Sequence, residues 1–566
     1  MKTGIKEEKI LLALMPYWEP LVPPVGISCL KSALVPHHFN VKTIDLNVER
    51  EFKLTDDKYF KTLSEYVPEN KRNNFYNVGR DVLRHHMMAH LNYTDEKEYI
   101  ELVKLVIYNT FFCDIDDQVV VQLNVIVSEF YAGLEKFFLE LLEKEKPTVL
   151  GLSVYRGTIP ASLFAFKLTK EKYPHVKTVM GGGAFADQLA PGSPNFQFFL
   201  EKTKEYIDKI IIGEGELLFL KLLSDQLPKS QRVYTINDIN NQSLDIASVD
   251  VPDYSDFQIN NYPSLAIYGA RSCPFQCTFC SETLQWGKYR KKDPAQTARE
   301  AIKLYHQYNN QLFLMSDSLL NPIITDLAHE FIKSNIALYW DGYLRVDKHA
   351  CDPDKTLLWR RGGFYRARLG VESGSQRILN LMDKRITVAQ TRKAISSLAN
   401  AGIKTTTYWL FGYPGETEED FQQTLDIIEE MKDDIYEAWA NVFWYYLGGQ
   451  VKSDELSRSS VSLYPAKAKE MLLLETRVIR GEPSKRIMNE RLFRFLEHCE
   501  RLDIPNIYTI KEIKQADERW QSLHKNAVPS VIDFFERNQY IDECKQVKKI
   551  KVAQNTLQSN MDFCFG

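Results

Sequence analysis

The sequence predicts an α/β protein built from two parallel-sheet domains, and three observations predict it. Short apolar runs of strand length alternate with amphipathic helical runs in two successive series. Glycine turns stand at the ends of several of those runs, and three cysteines fall within eight residues at the start of the second series. Parallel strands need crossovers long enough to hold a helix, so this alternation implies sheets covered by helices. A chain of 566 residues also exceeds what one core serves, so several domains are expected.

In the first series, residues 10–15 (ILLALM), 41–46 (VKTIDL), 148–154 (TVLGLSV), 176–180 (VKTVM) and 208–212 (DKIII) read as buried strands. Residues 25–36 and 161–172 read as helices, and a further helix follows Gly213-Glu214-Gly215-Glu216. Together they define a doubly wound, Rossmann-like domain over residues 1–235, with glycine turns at the carboxyl ends of strands, where such folds bind ligands. Residues 51–145 interrupt it with an aromatic, helical stretch too long for a simple connection. That insertion either covers the active face or only adds core. Residues 236–264, with Pro252, Asn261 and Pro263, read as an ordered linker.

From residue 265 the alternation restarts. Candidate strands at 265–268, 311–315, 336–340, 366–371, 404–411 and 440–446, with helices such as 294–308 and 388–401, suggest a partial (β/α)6 barrel over residues 265–450. Residues 451–566 read as a helical cap or separate domain. Their positive run Arg477, Arg480, Lys485 and Arg486 is read as a solvated helix face, and Cys544 and Cys564 are too widely spaced to imply a second cluster.

Composition excludes several classes. A formal net charge of -4 argues against a chain that holds nucleic acid mainly by electrostatics. The start lacks a small-residue cleavage site and no run of about 18 apolar residues occurs, so neither a signal peptide nor a membrane span is expected. Nine cysteines are too sparse for a disulfide scaffold, which fits a reducing, cytoplasmic setting. No Gly-x-Gly-x-x-Gly follows the first strand and no phosphate-loop lysine is present, so dinucleotide and nucleotide-hydrolysis readings have little support.

The chemistry-bearing segment is Arg271-Ser272-Cys273-Pro274-Phe275-Gln276-Cys277-Thr278-Phe279-Cys280, just after a strand. Thiolates hold iron–sulfur clusters, and a short loop can place three of them on three corners of a cubane. The next cysteine is Cys351, so one iron would keep an open position for a small chelating molecule. A zinc knuckle would need a second cysteine pair at zinc spacing, which is absent.

Cys-x-x-x-Cys-x-x-Cys with an aromatic residue, Phe279, before the last cysteine resembles the signature of the radical S-adenosylmethionine (SAM) superfamily. Downstream segments resemble that family in order: Leu314-Met315-Ser316-Asp317-Ser318, Gly370-Val371-Glu372-Ser373-Gly374-Ser375 with Met382-Asp383-Lys384, and Tyr408 through Thr417. The resemblance implies a [4Fe-4S] cluster on Cys273, Cys277 and Cys280. SAM would sit on the open iron and be cleaved by one electron to a 5′-deoxyadenosyl radical. It places Phe279, Asp317, Glu372, Ser373, Ser375, Gly412 and Gly415 around SAM. Each has a plainer alternative: Glu372 balancing Arg366 or capping a helix, Ser373 and Ser375 capping a helix, Asp317 doing the same, and the glycines making a turn. Tyr408 and Trp409 line a substrate cavity or build core.

The amino-terminal series resembles the cobalamin-binding class of the same superfamily, at Pro23-Pro24-Val25-Gly26-Ile27, at Gly181-Gly182-Gly183-Ala184 and at Ile212-Gly213-Glu214-Gly215-Glu216. In that class a corrinoid passes a methyl group from SAM to a substrate radical, and Gly182, Gly183 and Glu214 are the matching positions. The chain departs from the pattern in lacking Asp-x-His-x-x-Gly, in the bulk of residues 154–158, in the insertion, and in Leu447-Gly448-Gly449-Gln450 where relatives often carry Pro-Gly-Thr. The resemblance implies cobalamin-dependent methyl transfer to an unactivated position of a small metabolite or peptide, fed by a one-electron reductant such as flavodoxin or ferredoxin. The alternatives are a radical rearrangement, cyclisation or epimerisation, and a non-enzymatic iron–sulfur scaffold. Methylthiolation of transfer RNA is disfavoured, because Cys29 and Cys113 are too few for its amino-terminal cysteine set.

Overall fold

The computed structural model describes residues 8–72, 75–507, 510–528 and 530. Cys544, Cys564 and the rest of the carboxyl-terminal stretch from 531 lie outside the described residues, as does the start of the chain up to residue 7.

The first series opens with β1 (Lys9–Leu14), α1 (Val25–Leu34) and β2 (Asn40–Asp45). The insertion follows as α2 (Arg50–Ser64), α3 (Phe75–Asn92), α4 (Glu96–Phe111) and α5 (Asp117–Glu145). The series resumes with β3 (Val149–Ser153), α6 (Ile159–Lys172), β4 (Lys177–Gly181), α7 (Pro194–Lys202), β5 (Lys209–Ile211), α8 (Gly215–Leu223) and a short edge strand β6 (Val233–Tyr234). All pairings are parallel, in the order β2-β1-β3-β4-β5-β6, so the order reverses at β1. A reversal sends right-handed crossovers to opposite faces, and both faces of β1 are indeed covered. Leu11, Ala13 and Met15 enter one core, while Ile10, Leu12 and Leu14 enter the other. That is why the strand reads as an unbroken apolar run. The insertion packs into the first of those cores, through Phe52, Tyr59, Leu102 and Phe130 among others, so it adds core.

The second series runs β7 (Leu265–Ile267), β8 (Ala270–Arg271), α9 (Glu282–Trp286), β9 (Arg290–Lys291), α10 (Pro294–Tyr308), β10 (Leu312–Met315), α11 (Ile324–Ser334), β11 (Tyr339–Arg345) and α12 (Pro353–Arg361). It continues with β12 (Phe364–Glu372), α13 (Gln376–Leu381), α14 (Val388–Asn400), β13 (Lys404–Phe411), α15 (Glu418–Glu430) and β14 (Glu437–Val442). Six parallel strands lie in sequential order, β7-β10-β11-β12-β13-β14, and β8 pairs antiparallel with β9 beside them. With no reversal, right-handed crossovers all fall on one face, and α10, α11, α12 and α14 pack there in succession.

Two strands differ from the sequence reading. The third spans 339–345 rather than 336–340, because α11 ends at a left-handed Asn335 and residues 336–338 complete the exit turn. The sixth spans 437–442 rather than 440–446.

Register places side chains in rows across the sheet. Asp341, Arg366 and Lys404 form one row; Tyr343, Arg368, Thr406 and Glu437 the next; Arg345, Gly370, Tyr408 and Trp439 the third. These rows occupy the face opposite α10, α11, α12 and α14, with Lys404 meeting Asp517 from further along the chain. Trp340, Ala367 and Trp409 alternate onto the helix side, which places Tyr408 and Trp409 on opposite faces.

Four small elements follow: α16 (Ser453–Ser457), β15 (Ser460–Ser462), α17 (Ala468–Leu472) and β16 (Arg477–Ile479). The chain then enters α18 (Lys485–Arg501) and α19 (Ile510–Leu523). Tyr445–Val478 belongs to the compact unit of the first sheet, whereas α18 and α19 belong to that of the second, so the segment expected from 451 onward is shared between the units. Among the described residues no helix is long and apolar enough to cross a membrane.

Candidate active site

The cysteine loop starts at the end of β8. Ser272 takes a left-handed φ of 71°, uncommon for a residue with a side chain, and its hydroxyl donates to the Gly287 carbonyl at 2.7 Å. Thr278 N donates to the Met382 carbonyl at 3.0 Å, and the Thr278 hydroxyl lies 2.6 Å from the Tyr413 hydroxyl. Those two bonds bring the cysteines together with the end of α13 and with the turn after β13, three segments far apart in sequence.

The thiols feel one another electrostatically. Burial pushes Cys280 up to about 12 and raises Cys273 too, each helped by neighbouring thiols and opposed by a backbone N–H, from Glu282 and Phe275 respectively. A bound metal would reverse that balance by favouring thiolates. Arg345, at the end of β11, donates from Nη1 to Cys277 Sγ at 3.6 Å, and its guanidinium lies 3.9 Å from the Phe275 ring. The other terminal nitrogen of Arg345 and the Tyr289 hydroxyl are buried without a partner among the described residues, although buried polar groups are normally satisfied. Among the described residues no trio of His, Cys, Asp or Glu is grouped as ligands of one metal ion. Three thiols on one loop are the donor type that an iron–sulfur cluster takes, one thiolate per iron.

Glu372 ends β12 at a bulge, also with φ 71°, and its Oε1 lies 2.6 Å from Lys384 Nζ. Lys384 in turn sits 5.7 Å from the Phe279 ring. A β-carbon on Gly370 would fall 2.9 Å from Glu372 Oε1, so that glycine leaves room for the pair. The partner of Glu372 is therefore Lys384, while Arg366 binds Asp341 at 2.7 Å. Ser375 caps α13, accepting from Ile378 N at 3.4 Å, and donates to Asp420 at 2.6 Å; Ser373 accepts from Ser375 N at 3.1 Å. Both serines are buried and work within the protein. Asp317 caps no helix: its two oxygens each accept from Gly269 N at 3.1 Å, fixing the strand end before the cysteine loop. Burial lifts its carboxyl to about 7, against the pull of those backbone donors.

The turn after β13 divides its glycines. Gly412, at φ 79°, has no room for a β-carbon, which would lie 2.2 Å from Met488 Cγ in α18. Gly415, at φ 86°, faces open space. Gly412 N donates to Glu416 at 2.7 Å, and Glu416 pairs with Arg491 at 2.8 Å, so α18 anchors the turn. Burial raises Glu416 to about 7. Sequence reasoning missed Arg345 and Arg491. Arg345 had a signal, a charge at a strand's carboxyl end, hidden by placing that strand too early; Arg491 had none.

In the first unit, Gly182 (φ 106°) hugs β3 so closely that a β-carbon would lie 2.5 Å from Val154 N and O. Gly183 opens the turn beyond β4, and Glu214 is the residue before α8 at the end of β5. At the β1/β3 reversal the rings of the exposed Trp18 and of Tyr155 lie 4.7 Å apart. Arg156 beside them pairs with Asp81 of α3 at 2.8 Å, and Arg84 of α3 donates to Gln188 at 2.7 Å. The insertion thus also sends charged side chains to the carboxyl edge of the sheet.

Residues 267–428 match the family model of the radical SAM superfamily. It resembles the solved structure of TsrM, a radical S-adenosylmethionine methyltransferase from Kitasatospora setae with cobalamin and a [4Fe-4S] cluster bound. That match has a TM-score of 0.57 at 13% identity and covers 96% of this chain and 100% of TsrM, so the two share a fold. Among curated proteins, the anaerobic magnesium-protoporphyrin IX monomethyl ester cyclase of Rubrivivax gelatinosus is 26% identical over 319 residues, 51% of this chain and 55% of the cyclase. An uncharacterized methyltransferase of Pyrococcus horikoshii is 24% identical over 320 residues, 52% of this chain and 67% of the relative. The matched regions span about half of the cyclases' length.

Proposed function

We propose that the chain is a radical SAM enzyme in which Cys273, Cys277 and Cys280 hold a [4Fe-4S] cluster and a cobalamin on the first unit serves methyl transfer. The observation that carries the reading is the meeting of the three-cysteine loop with Glu372–Lys384 and the Gly412–Glu416 turn, through Thr278. When bound, the cluster supplies the electron that cleaves SAM to methionine and a 5′-deoxyadenosyl radical, and cobalamin supplies a methyl carrier.

The chain's own residues do the positioning. Arg345 donates to a cluster thiolate and has a second donor to spare. Glu372 is aimed by its strained backbone and by Lys384, ready to accept hydrogen bonds from ribose hydroxyls or an amino group. Gly415 leaves the turn open to a close approach. Asp317, Ser373 and Ser375 hold the backbone that carries these groups. For the corrinoid, the glycine turns at Gly182 and Gly183, Glu214 and the exposed ring of Trp18 offer backbone edges and a flat surface at the sheet's carboxyl end, which fits a broad planar ligand.

A second reading, radical ring formation without methyl transfer, is favoured by the similarity to the cyclases. Anaerobic reconstitution with iron, sulfide and cobalamin, followed by metal analysis and by reduction in the presence of SAM, separates the two. About four irons and one cobalt per chain, with S-adenosylhomocysteine and 5′-deoxyadenosine formed, is the expected result. Iron without cobalt, and 5′-deoxyadenosine alone, would favour the cyclase-like reading. No SAM cleavage by a fully loaded cluster would overturn both.

A further inference from the structure

The face of the second sheet opposite α10, α11, α12 and α14 carries donors that nothing among the described residues accepts from. Asp341 Oδ2 takes Nε and Nη2 of Arg366 at 2.9 and 2.7 Å and Nε of Arg368 at 2.9 Å. Arg368 is only 3% exposed, yet its two terminal nitrogens have no hydrogen-bond partner among the described residues. One row further along, the Tyr408 hydroxyl is sealed from solvent without a partner among the described residues. Tyr343, opposite Arg368 in register and half-buried, has a hydroxyl with no partner among the described residues. Its ring lies 5.9 Å from that of Tyr408 and 5.5 Å from the Arg368 guanidinium. Buried donors such as the Tyr408 hydroxyl are rarely left unmatched, and a ligand or an ordered water supplies the acceptor.

We infer that Arg368, Tyr343 and Tyr408 bind a carboxylate of the substrate, set on the sheet face that also presents Arg345 to the cysteine loop. The inference rests on the radical-enzyme reading and names that site's substrate class. A guanidinium fork matches the two oxygens of a carboxylate or of a phosphate, and the charge of the face decides between them. Arg345 is turned to the cysteine loop and burial lifts Glu437 to about 7, which leaves Arg366, Arg368 and Lys404 against Asp341 and, on Lys404 at 2.5 Å, Asp517. Three cations and two anions leave one positive charge. A monoanion balances it, whereas a dianion would leave a net negative charge in a desolvated place. The aromatic walls at Tyr343, Tyr408 and Trp439 suit a carboxylate carried on a flat or ring-bearing body.

The test uses the full chain, anaerobically reconstituted, with 4-fluorobenzoate as probe and 4-fluorobenzamide as its neutral counterpart, read by fluorine NMR line broadening. The benzoate should bind and the amide should not. Tyr408→Phe removes only an unpartnered hydroxyl, so the variant should melt no lower than the parent while its Kd for the benzoate rises about tenfold. Arg368→Gln should abolish binding; if it fails to fold, Tyr408→Phe and Tyr343→Phe carry the test. Absence of benzoate binding, equal binding of the amide, or unchanged affinity in the tyrosine variants would overturn the inference. SAM cleavage is assayed on the same samples: cleavage without benzoate binding sinks the carboxylate site alone, and absence of cleavage counts against the radical-enzyme reading.

Discussion

At the scale of the residue, the site is marked by side chains held in positions that cost energy. Glu372 keeps a left-handed φ that a glycine would adopt freely, and such strain is worth about 1 to 3 kcal/mol. Replacing Glu372 by Gln keeps the backbone as it is and an oxygen for Lys384, so the melting temperature should hold while SAM affinity, measured by equilibrium dialysis on reconstituted protein, falls at least tenfold. A drop in both would make Glu372 a structural residue. For the cysteines, changing Cys273, Cys277 or Cys280 to Ala should each bring iron content after reconstitution well below the parent's, and full iron in all three variants would refute the cluster. The cysteine loop was legible in the sequence as a candidate site, because ligand spacing is local. The partner of Glu372 was not: Lys384 lies twelve residues on, and only the geometry at the end of β12 prefers it to Arg366.

At the scale of the element, the turn after β13 shows how a functional loop is fixed from outside the motif. Gly412 and Met488 share one space, and Glu416 is tied to Arg491 of the same helix, α18. Gly412→Ala should destabilise the protein by about 1 to 3 kcal/mol, from the positive φ and from overpacking. Met488→Ala in the same chain should return part of that loss, so a double-mutant cycle read by chemical denaturation should be non-additive. Additive effects would mean that the helix does not support the turn. The strands of the first series were readable because both faces of β1 are apolar and because glycine turns punctuate the series, while their order in the sheet was not. The support from α18 was not readable, since nothing in its charged, amphipathic sequence names the loop it packs on. The third strand was misplaced for a related reason: Ile336 and Leu338 look like strand residues, yet the left-handed Asn335 spends them on a turn.

At the scale of the whole molecule, the two compact units bury titratable groups of opposite type, so pH should move their stabilities in opposite directions. In the first unit, burial lowers His85 and His86 to about 3, with Arg84 adding to the effect on His85 and His90 to that on His86. A histidine lowered below its unfolded value near 6.5 binds fewer protons when folded, so its stabilising contribution is complete above pH 6.5 and is lost as pH falls. Between pH 6.5 and 5 each such group should cost about 2 kcal/mol. Asp187, whose carboxyl burial also raises, subtracts from this slope. In the second unit, burial lifts Asp317, Glu416 and Glu437 to about 7, with Arg366 opposing the effect on Glu437. A carboxyl raised above its unfolded value binds more protons when folded, so its contribution is present below about pH 4 and is lost as pH rises through 7. His498, lowered by burial, opposes this slope near neutrality but is a single group. Calorimetry of the full chain from pH 5 to 7.5 should therefore show one transition moving up and the other down. Glu437→Gln should flatten the falling one, because the amide keeps the shape of the protonated acid and does not titrate. Parallel movement of both transitions would mean that the buried carboxyls are ionised throughout, held so by Arg366 and Arg491.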